Sequence, residues 1–387
     1  MRHERFVEET PLDRTVYRSS SWLCDVPIYA MILYTVFILI WVPRLKPATA
    51  AYTIQYASMT RIPFGFVFPG WIVHSPQLRL MSTKQWQQQC RKMMGRTHSL
   101  WVELPIALYQ NNVFLPVITR GPLTPNPSQV ADEIVFAHRI GLKVFVVPTV
   151  IVGNAVYSGD IHYNSVQAEQ AWFDSYARQW GVYARIAALT QANALGVSTE
   201  LDGLQSAPSS LWEHLIAQLH GQYPGPLWVD LNWASVGQFE PWLKDSLIAD
   251  IGVSAYFPLE QTPHPLPYAA ILSRWNTRVL PRLNQLSAWS GHPVGLSELG
   301  FKNASNALYE PYTHLTTTLP DPRLQDHALM AAIKDSQTLP LLGGIFVYAW
   351  DMGYFSPAPT SQHVWVQTGF VHKRVYVHLQ HGHVFNY

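Results

Sequence analysis

Eight short apolar, β-rich runs recur along this chain, and stretches of helical character separate nearly every consecutive pair. The runs are Phe64–Phe68, Leu100–Leu104, Lys143–Pro148, Gly196–Glu200, Leu227–Leu231, Ile251–Ala255, Val294–Glu298 and Gly344–Ala349. The helical stretches are Thr83–Met94, Ser128–Ile140, Gln167–Ala192, Ser209–His220, Phe239–Asp245, Tyr268–Ser290 and Arg323–Lys334. Strands that alternate with helices pair in parallel through right-handed crossovers. Eight such units over about 290 residues fit an α/β fold of the (β/α)8 TIM-barrel class in both number and length.

Local signals agree with that assignment. Asn126-Pro127-Ser128 opens one helix, and Ser209-Ser210 precedes another in N-cap position. Trp172, Tyr176, Trp180 and Tyr183 recur at helical spacing, which reads as packing against the barrel rather than as a sugar platform. The two cysteines, Cys24 and Cys90, exclude a disulfide framework and a Cys-rich metal site. Charged residues are only 13% and the net charge is +1, with no basic block, so nucleic acid is excluded as a partner. The 15 Trp and 19 Tyr stand out, since flat amphipathic rings suit sugar faces as well as cores.

The N-terminus is of a different kind. Val26 to Val42 is uncharged and mostly large and apolar, about 25 Å long as a helix, with four arginines before it and Arg44 and Lys46 after. The charge bias favours a cytoplasmic tail over residues 1–25, a transmembrane signal anchor or signal-peptide core over 26–42, and a linker over 43–63. A membrane-anchored, extracytoplasmic domain over 64–387 is expected. Cleavage near Ala50, after Ala48-Thr49, would secrete it instead.

Active residues of such barrels sit at the C-terminal ends of the strands. Glu200 ends the fourth run and Glu298 the seventh. A carboxylate ending an apolar strand is costly to bury unless paired or hydrogen-bonded. Two facing one mouth suit glycosidic cleavage, one giving a proton to the leaving oxygen and the other stabilising or attacking the oxocarbenium-like centre. No cofactor is implied, because the carboxylates supply acid and nucleophile themselves. His98, His138 and His162 lack metal-site spacing, so no metal is expected, and His138 reads as structural.

From about Phe64 onward the chain resembles glycoside hydrolase family 113, a β-mannanase-containing family of the retaining TIM-barrel clan. The resemblance is carried by Gly70-Trp71, by Ala137 to Val144, by Ser198-Thr199-Glu200-Leu201, by Asp250 to Leu259 and by Pro293 to Phe301. It implies Glu200 as acid/base and Glu298 as nucleophile, with retention of configuration and carboxyls about 5–5.5 Å apart. Much of the clan has Asn directly before the acid/base; Thr199 stands there in this chain.

Around that pair, Tyr256 is expected to hydrogen-bond Glu298, and Asn232 and Trp233 to reach substrate from the fifth strand. Trp350 is expected to floor the scissile subsite, and Trp71 to stack in a neighbouring one. Glu103 is a third carboxylate at the rim, expected to pair with Arg96 or Arg120 or to touch substrate. The segment after Asp351 shows no eighth helix and reads as a β-rich appendage. The expected activity is hydrolysis of a β-linked polysaccharide or oligosaccharide, mannan-type favoured, by a monomer. A non-catalytic sugar-binding barrel and an envelope-glycan transglycosylase are the alternatives.

Overall fold

The structure is a computed structural model. It describes residues 62–350 apart from 74–77, 154–155 and 314–317, with the side chains of 71–73 and 78–79 also outside it. The expected membrane segment at 26–42 and the expected β-rich appendage after Asp351 lie outside the described residues. Among those that are described, no helix is long and apolar enough to cross a membrane.

In chain order the strands are β1 (Phe64–Val67), β2 (Trp71–Val73), β3 (Leu78–Leu80), β4 (Trp101–Gln110), β5 (Ile118–Thr119), β6 (Lys143–Val152), β7 (Ala194–Gly196), β8 (Leu227–Asn232), β9 (Ile248–Ser254), β10 (Val294–Leu299) and β11 (Leu342–Val347). The helices are α1 (Thr83–Thr97), α2 (Pro127–Arg139), α3 (Val166–Leu189), α4 (Ser209–Gln222), α5 (Tyr268–Arg274), α6 (Leu280–Ser290) and α7 (Pro322–Ser336). A π-helical turn, Trp275–Val279, joins α5 to α6 without a break. Eight strands pair in parallel in the order β1, β4, β6, β7, β8, β9, β10, β11, and β1 also pairs with β11. The sheet therefore closes: this is an eight-stranded parallel barrel surrounded by helices, the TIM-barrel architecture. The hairpin β2–β3 and the two-residue β5, antiparallel to β4, are additions that the alternation of apolar runs does not reveal.

Closure divides the apolar residues into two sets. A large cluster fills the space between strands and helices, and it takes in Trp172, Tyr176, Trp180 and Tyr183 of α3, all fully buried. A smaller one plugs the barrel, with Phe145, Trp228 and Phe346 in mutual ring contact at 5.0–6.1 Å. Room for Trp228 comes from Gly295, where a Cβ would stand 2.8 Å from the indole ring. The plug seals the lower barrel, so any chemistry must occur above it, at the C-terminal rim.

Three boundaries differ from the pattern. Strands β4 and β6 run for ten residues each and pair residue for residue from Trp101↔Lys143 to Gln110↔Val152. Their apolar character continues through Ile106-Ala107-Leu108 and Val150-Ile151-Val152, so they project above the rim. The expected helix at Phe239–Asp245 is only a 3-10 turn, Pro241–Lys244, entered through a proline. The fourth barrel strand is the largest correction: β7 covers Ala194–Gly196, not Gly196–Glu200. Its carbonyls leave the ladder because side chains of α3 take them. The Tyr176 hydroxyl donates to Val197 O at 2.7 Å and the Trp180 indole to Gly196 O at 2.8 Å.

Candidate active site

The side chain at 200 reaches the mouth by a turn. After β7 the backbone N–H of Val197 still donates to Trp228 O, at 2.6 Å, and the chain then swings inward. Glu200 itself adopts a φ of 48°, a left-handed conformation that a residue with a Cβ holds only when its surroundings impose it. One of those constraints is the carboxylate of Asp230, which accepts the Glu200 backbone N–H at 3.1 Å.

Glu298 arrives differently, from within a six-residue strand. Its carbonyl accepts from Ala255 N at 2.6 Å, so the ladder to β9 carries it. Strict alternation would send Ser297 and Glu298 to opposite faces. The pairing of β10 with β9 shifts register between Gly295 and Glu298, and both side chains address the barrel interior. Ser297 bonds Asp230, and Glu298 Oε2 accepts the Tyr256 hydroxyl at 2.6 Å.

The acid side is wired to β8 and the loop above β6. Asn232 Nδ2 donates to Glu200 Oε1 at 3.1 Å and to the Tyr157 hydroxyl at 2.7 Å, while its Oδ1 accepts Ala234 N at 2.8 Å. Tyr157 in turn donates to Asp202 at 2.9 Å, and Ser235 donates to the other Asp202 oxygen at 2.7 Å. Both amide protons of Asn232 are thus committed to protein partners. In this state its side chain holds Glu200 in place rather than offering a free donor to a sugar.

A cavity of about 650 Å³ opens over the two glutamates. Thr199, Glu200, Asn232, Trp233, Tyr256 and Glu298 all line it, so the structure gathers six of the eight residues singled out from sequence around one mouth. Trp71 lies in β2, with its side chain outside the described residues. Trp350 is placed elsewhere: it is 1% exposed, packs edge-on against Phe66, and directs its indole N–H toward Gln89 at 3.4 Å. The expected subsite floor at Trp350 is corrected accordingly. Tyr348, two residues earlier, lines the cavity instead.

Glu103 sits below the mouth, 2% exposed, with one carboxyl oxygen lacking a hydrogen-bond partner among the described residues. Neither expected arginine takes it in an ion pair there, and Arg120 lies over the Tyr183 ring. His138 meets Asn193 Oδ1 at 3.1 Å, a structural contact far from the mouth.

Several site residues were not singled out from sequence: Asp202, Asp230, Ser254, Ser297, Tyr312 and Tyr348. Tyr312 stacks on Trp233 at 5.5 Å and 16°, making an aromatic wall on one side of the cavity. Asp230 had a legible signal. It stands two residues before Asn232 in a fully buried strand and so shares its face.

The electrostatics follow from burial. Desolvation, with the negative charges of Glu298, Asp230 and Asp202 added to it, pushes Glu200 well above the usual carboxylate range. Glu298 is pushed up to about 8, by burial first and then by Asp230, against the Tyr256 hydrogen bond that favours its ionised form. Glu103 is also raised, by burial and by Glu298 and Asp230. Four carboxyl groups line the cavity (Glu200, Asp202, Glu298 and Glu310), and no lysine or arginine does among the described residues. Two close carboxyls that resist joint ionisation are equipped to hold one proton between them. That supports acid catalysis by one and nucleophilic or electrostatic work by the other.

The sequence matches the family model described as Glycoside Hydrolase Family 113 over residues 71–367. Similar solved structures include a GH113 β-1,4-mannanase in a complex, 18% identical with a TM-score of 0.67, covering 82% of this chain and 98% of that one. Another is the GH113 β-mannanase AaManA from Alicyclobacillus acidocaldarius bound to ManMIm, 20% identical with a TM-score of 0.68, at 82% and 97% coverage. A family 5 mannosidase from Rhizomucor miehei is more distant, 12% identical with a TM-score of 0.54, at 82% and 93% coverage. At these identities the likeness shows the fold. No curated protein matches the sequence.

Proposed function

This chain belongs to glycoside hydrolase family 113 and is a glycoside hydrolase, and from that premise we propose that it cleaves β-linked mannan-type polysaccharide or oligosaccharide with retention of configuration. Glu200 is the acid/base and Glu298 the nucleophile. The observation that carries this reading is the pair itself: two buried carboxyls at one mouth, one held by an amide and the other by a phenol.

In the first step Glu200, protonated, gives its proton to the leaving glycosidic oxygen. Glu298, ionised, attacks the anomeric carbon and forms a glycosyl ester. Water enters as the aglycone leaves, Glu200 takes its proton, and the ester is cleaved. Tyr256 supports the assignment of Glu298, because a phenol donating at 2.6 Å stabilises the anion that must attack. The stronger upward push on Glu200 suits a group that must still carry a proton near neutrality. A cavity lined by carboxyls, with no lysine or arginine among the described residues, favours a neutral sugar over a uronate or a phosphate. Trp233 and Tyr312 supply ring surface for pyranose faces, and Thr199 a hydroxyl at the position before the acid. The preference for mannan rests on the names of the similar structures.

The apolar segment at 26–42, with arginines before it, supports a membrane anchor and an extracytoplasmic catalytic domain. Cleavage near Ala50 with release of the domain is the variant form of this proposal. Alkaline extraction of membranes and protease accessibility from the outer side test it; a chain that washes off and is shielded from protease would overturn it.

The activity test is release of reducing ends by the full chain from mannan, glucomannan, xylan, β-glucan and chitin, with Glu298→Gln as control. Mannan-type substrates are expected to be cut, with the β-anomer appearing first by proton NMR. An α-anomer as first product would refute retention, and cleavage of xylan alone would refute the substrate class.

A further inference from the structure

The mechanism above uses Glu200 and Glu298 and leaves Asp230 unexplained. Asp230 is 7% exposed, in the middle of β8, directly under Asn232. Its contacts span the part of the barrel that bears both glutamates. Oδ1 accepts the backbone N–H of Glu200 at 3.1 Å, from the turn after β7. Ser254, the last residue of β9, donates its hydroxyl to Oδ1 at 3.1 Å and Oδ2 at 3.3 Å. Ser297 on β10, the residue before Glu298, donates to Oδ2. One carboxylate therefore bridges four consecutive strands or strand ends. Gly252 leaves the space for this, since a Cβ there would stand 2.5 Å from Ser297 Oγ.

We propose that Asp230 is the positioning residue for both glutamates at once, a single buried carboxylate that ties the acid/base turn to the nucleophile strand. The inference rests on the roles proposed above for Glu200 and Glu298. The argument is geometric. Glu200 holds a left-handed φ that L-residues avoid, and its N–H points into the barrel, where only a fixed acceptor can satisfy it. Ser297 shares the inward face of Gly295 by ordinary alternation, the register shift of β10 then turns Glu298 inward beside it, and Asp230 is what the Ser297 hydroxyl meets. Both irregularities of the backbone, one at each glutamate, converge on the same pair of oxygens.

The charge of Asp230 adds a second consequence. The titratable groups facing it are all acidic or phenolic: Glu200 and Asp202 beyond β7, Glu298 on β10, Glu103 on β4, and Tyr157 above. Three donors favour its ionised form, while burial pushes it up to about 7. When ionised, it raises Glu200 and Glu298 together. Removing that charge while keeping the shape must lower both.

The test uses the full chain labelled with ¹³C at glutamate carboxyls, the two signals being assigned with Glu200→Gln and Glu298→Gln. In Asp230→Asn both carboxyls are expected to titrate lower by roughly half a unit or more. On mannan, kcat is expected to fall at least about tenfold, with KM changed less than about threefold, since binding surface is untouched and alignment is lost. Ser297→Ala keeps the charge and removes one tie: kcat is expected to fall several-fold with both titrations in place. That variant also decides the matter if Asp230→Asn does not fold. Unmoved titrations in Asp230→Asn, or an unchanged kcat in Ser297→Ala, would overturn the proposal. If the wild-type chain cleaves no glycan, the proposed substrate class fails on its own, and the carboxyl titrations still judge Asp230.

Discussion

The two glutamates of this site are supported by different kinds of structure. Glu298 stands in a six-residue strand paired on both sides, and its backbone is fixed by the ladder. Glu200 stands four residues beyond a three-residue strand, in a left-handed turn. What holds that turn is a set of side chains: Tyr176 and Trp180 from α3 at its base, Asp230 at its N–H, Asn232 at its carboxyl. A ladder is made by the backbone, so it survives most substitutions. A turn held by side chains depends on particular residues. The group proposed to move a proton twice per turnover is the one whose position rests on single hydrogen bonds.

The largest effects should come from the glutamates themselves. Glu298→Gln is expected to abolish mannan cleavage, by about 10⁴-fold or more, and to leave the fold intact. Glu200→Gln should lose a comparable factor on mannan but much less on an aryl glycoside whose leaving group needs no proton, roughly 10²–10⁴-fold being the share of general acid catalysis. Steady-state rates on both substrates check this. Equal losses on the two would dissolve the proposed division of labour.

A sharper comparison loosens one support on each side. Trp180→Phe removes the donor to Gly196 O while keeping most of the ring. It is expected to lower kcat by roughly ten- to a hundredfold through misplacement of the acid, with little change in KM. Tyr256→Phe removes the donor to Glu298. Because that bond favours the carboxylate, its loss raises the Glu298 titration further, and the acidic limb of the kcat/KM profile moves to higher pH by about one unit. An unmoved acidic limb would show that the phenol does not hold the charge.

The smallest effect concerns stability away from the mouth. Glu133 on α2 is 1% exposed, and burial pushes it up to about 7, with Gln129 alone opposing at 2.9 Å. Its folded value exceeds the unfolded one, so the folded chain binds more protons between about pH 4.5 and 7. Stability from this group is therefore lost as pH rises through that window. Glu133→Gln should stabilise the protein at pH 8 relative to pH 5 by roughly 1–3 kcal/mol. Melting temperatures at the two pH values check it, with activity expected to stay at the wild-type level.

Much of this was legible in the chain. Alternating runs at the right count specify a closed parallel barrel, because apolar runs of strand length flanked by helices have few other ways to bury both faces. Glu200, Asn232, Tyr256 and Glu298 follow from their places at the ends of such runs. The helical spacing of Trp172, Tyr176, Trp180 and Tyr183 read correctly as core. Their polar tips were not legible, although it is those tips that end β7 early and release the turn.

What the sequence determined by itself was the architecture and which side chains gather at the mouth, among them the two proposed catalytic glutamates, since both depend on local pattern and on strand order. What only the tertiary structure decided was direction. Trp350 faces the core and Tyr348 the cavity. Ser297 and Glu298 both face inward through a register shift, and Asp230 joins strands that lie far apart in sequence. The reason is physical: period-two alternation fixes a side chain's face only while the ladder is regular. At this rim the ladder is interrupted where each glutamate is aimed.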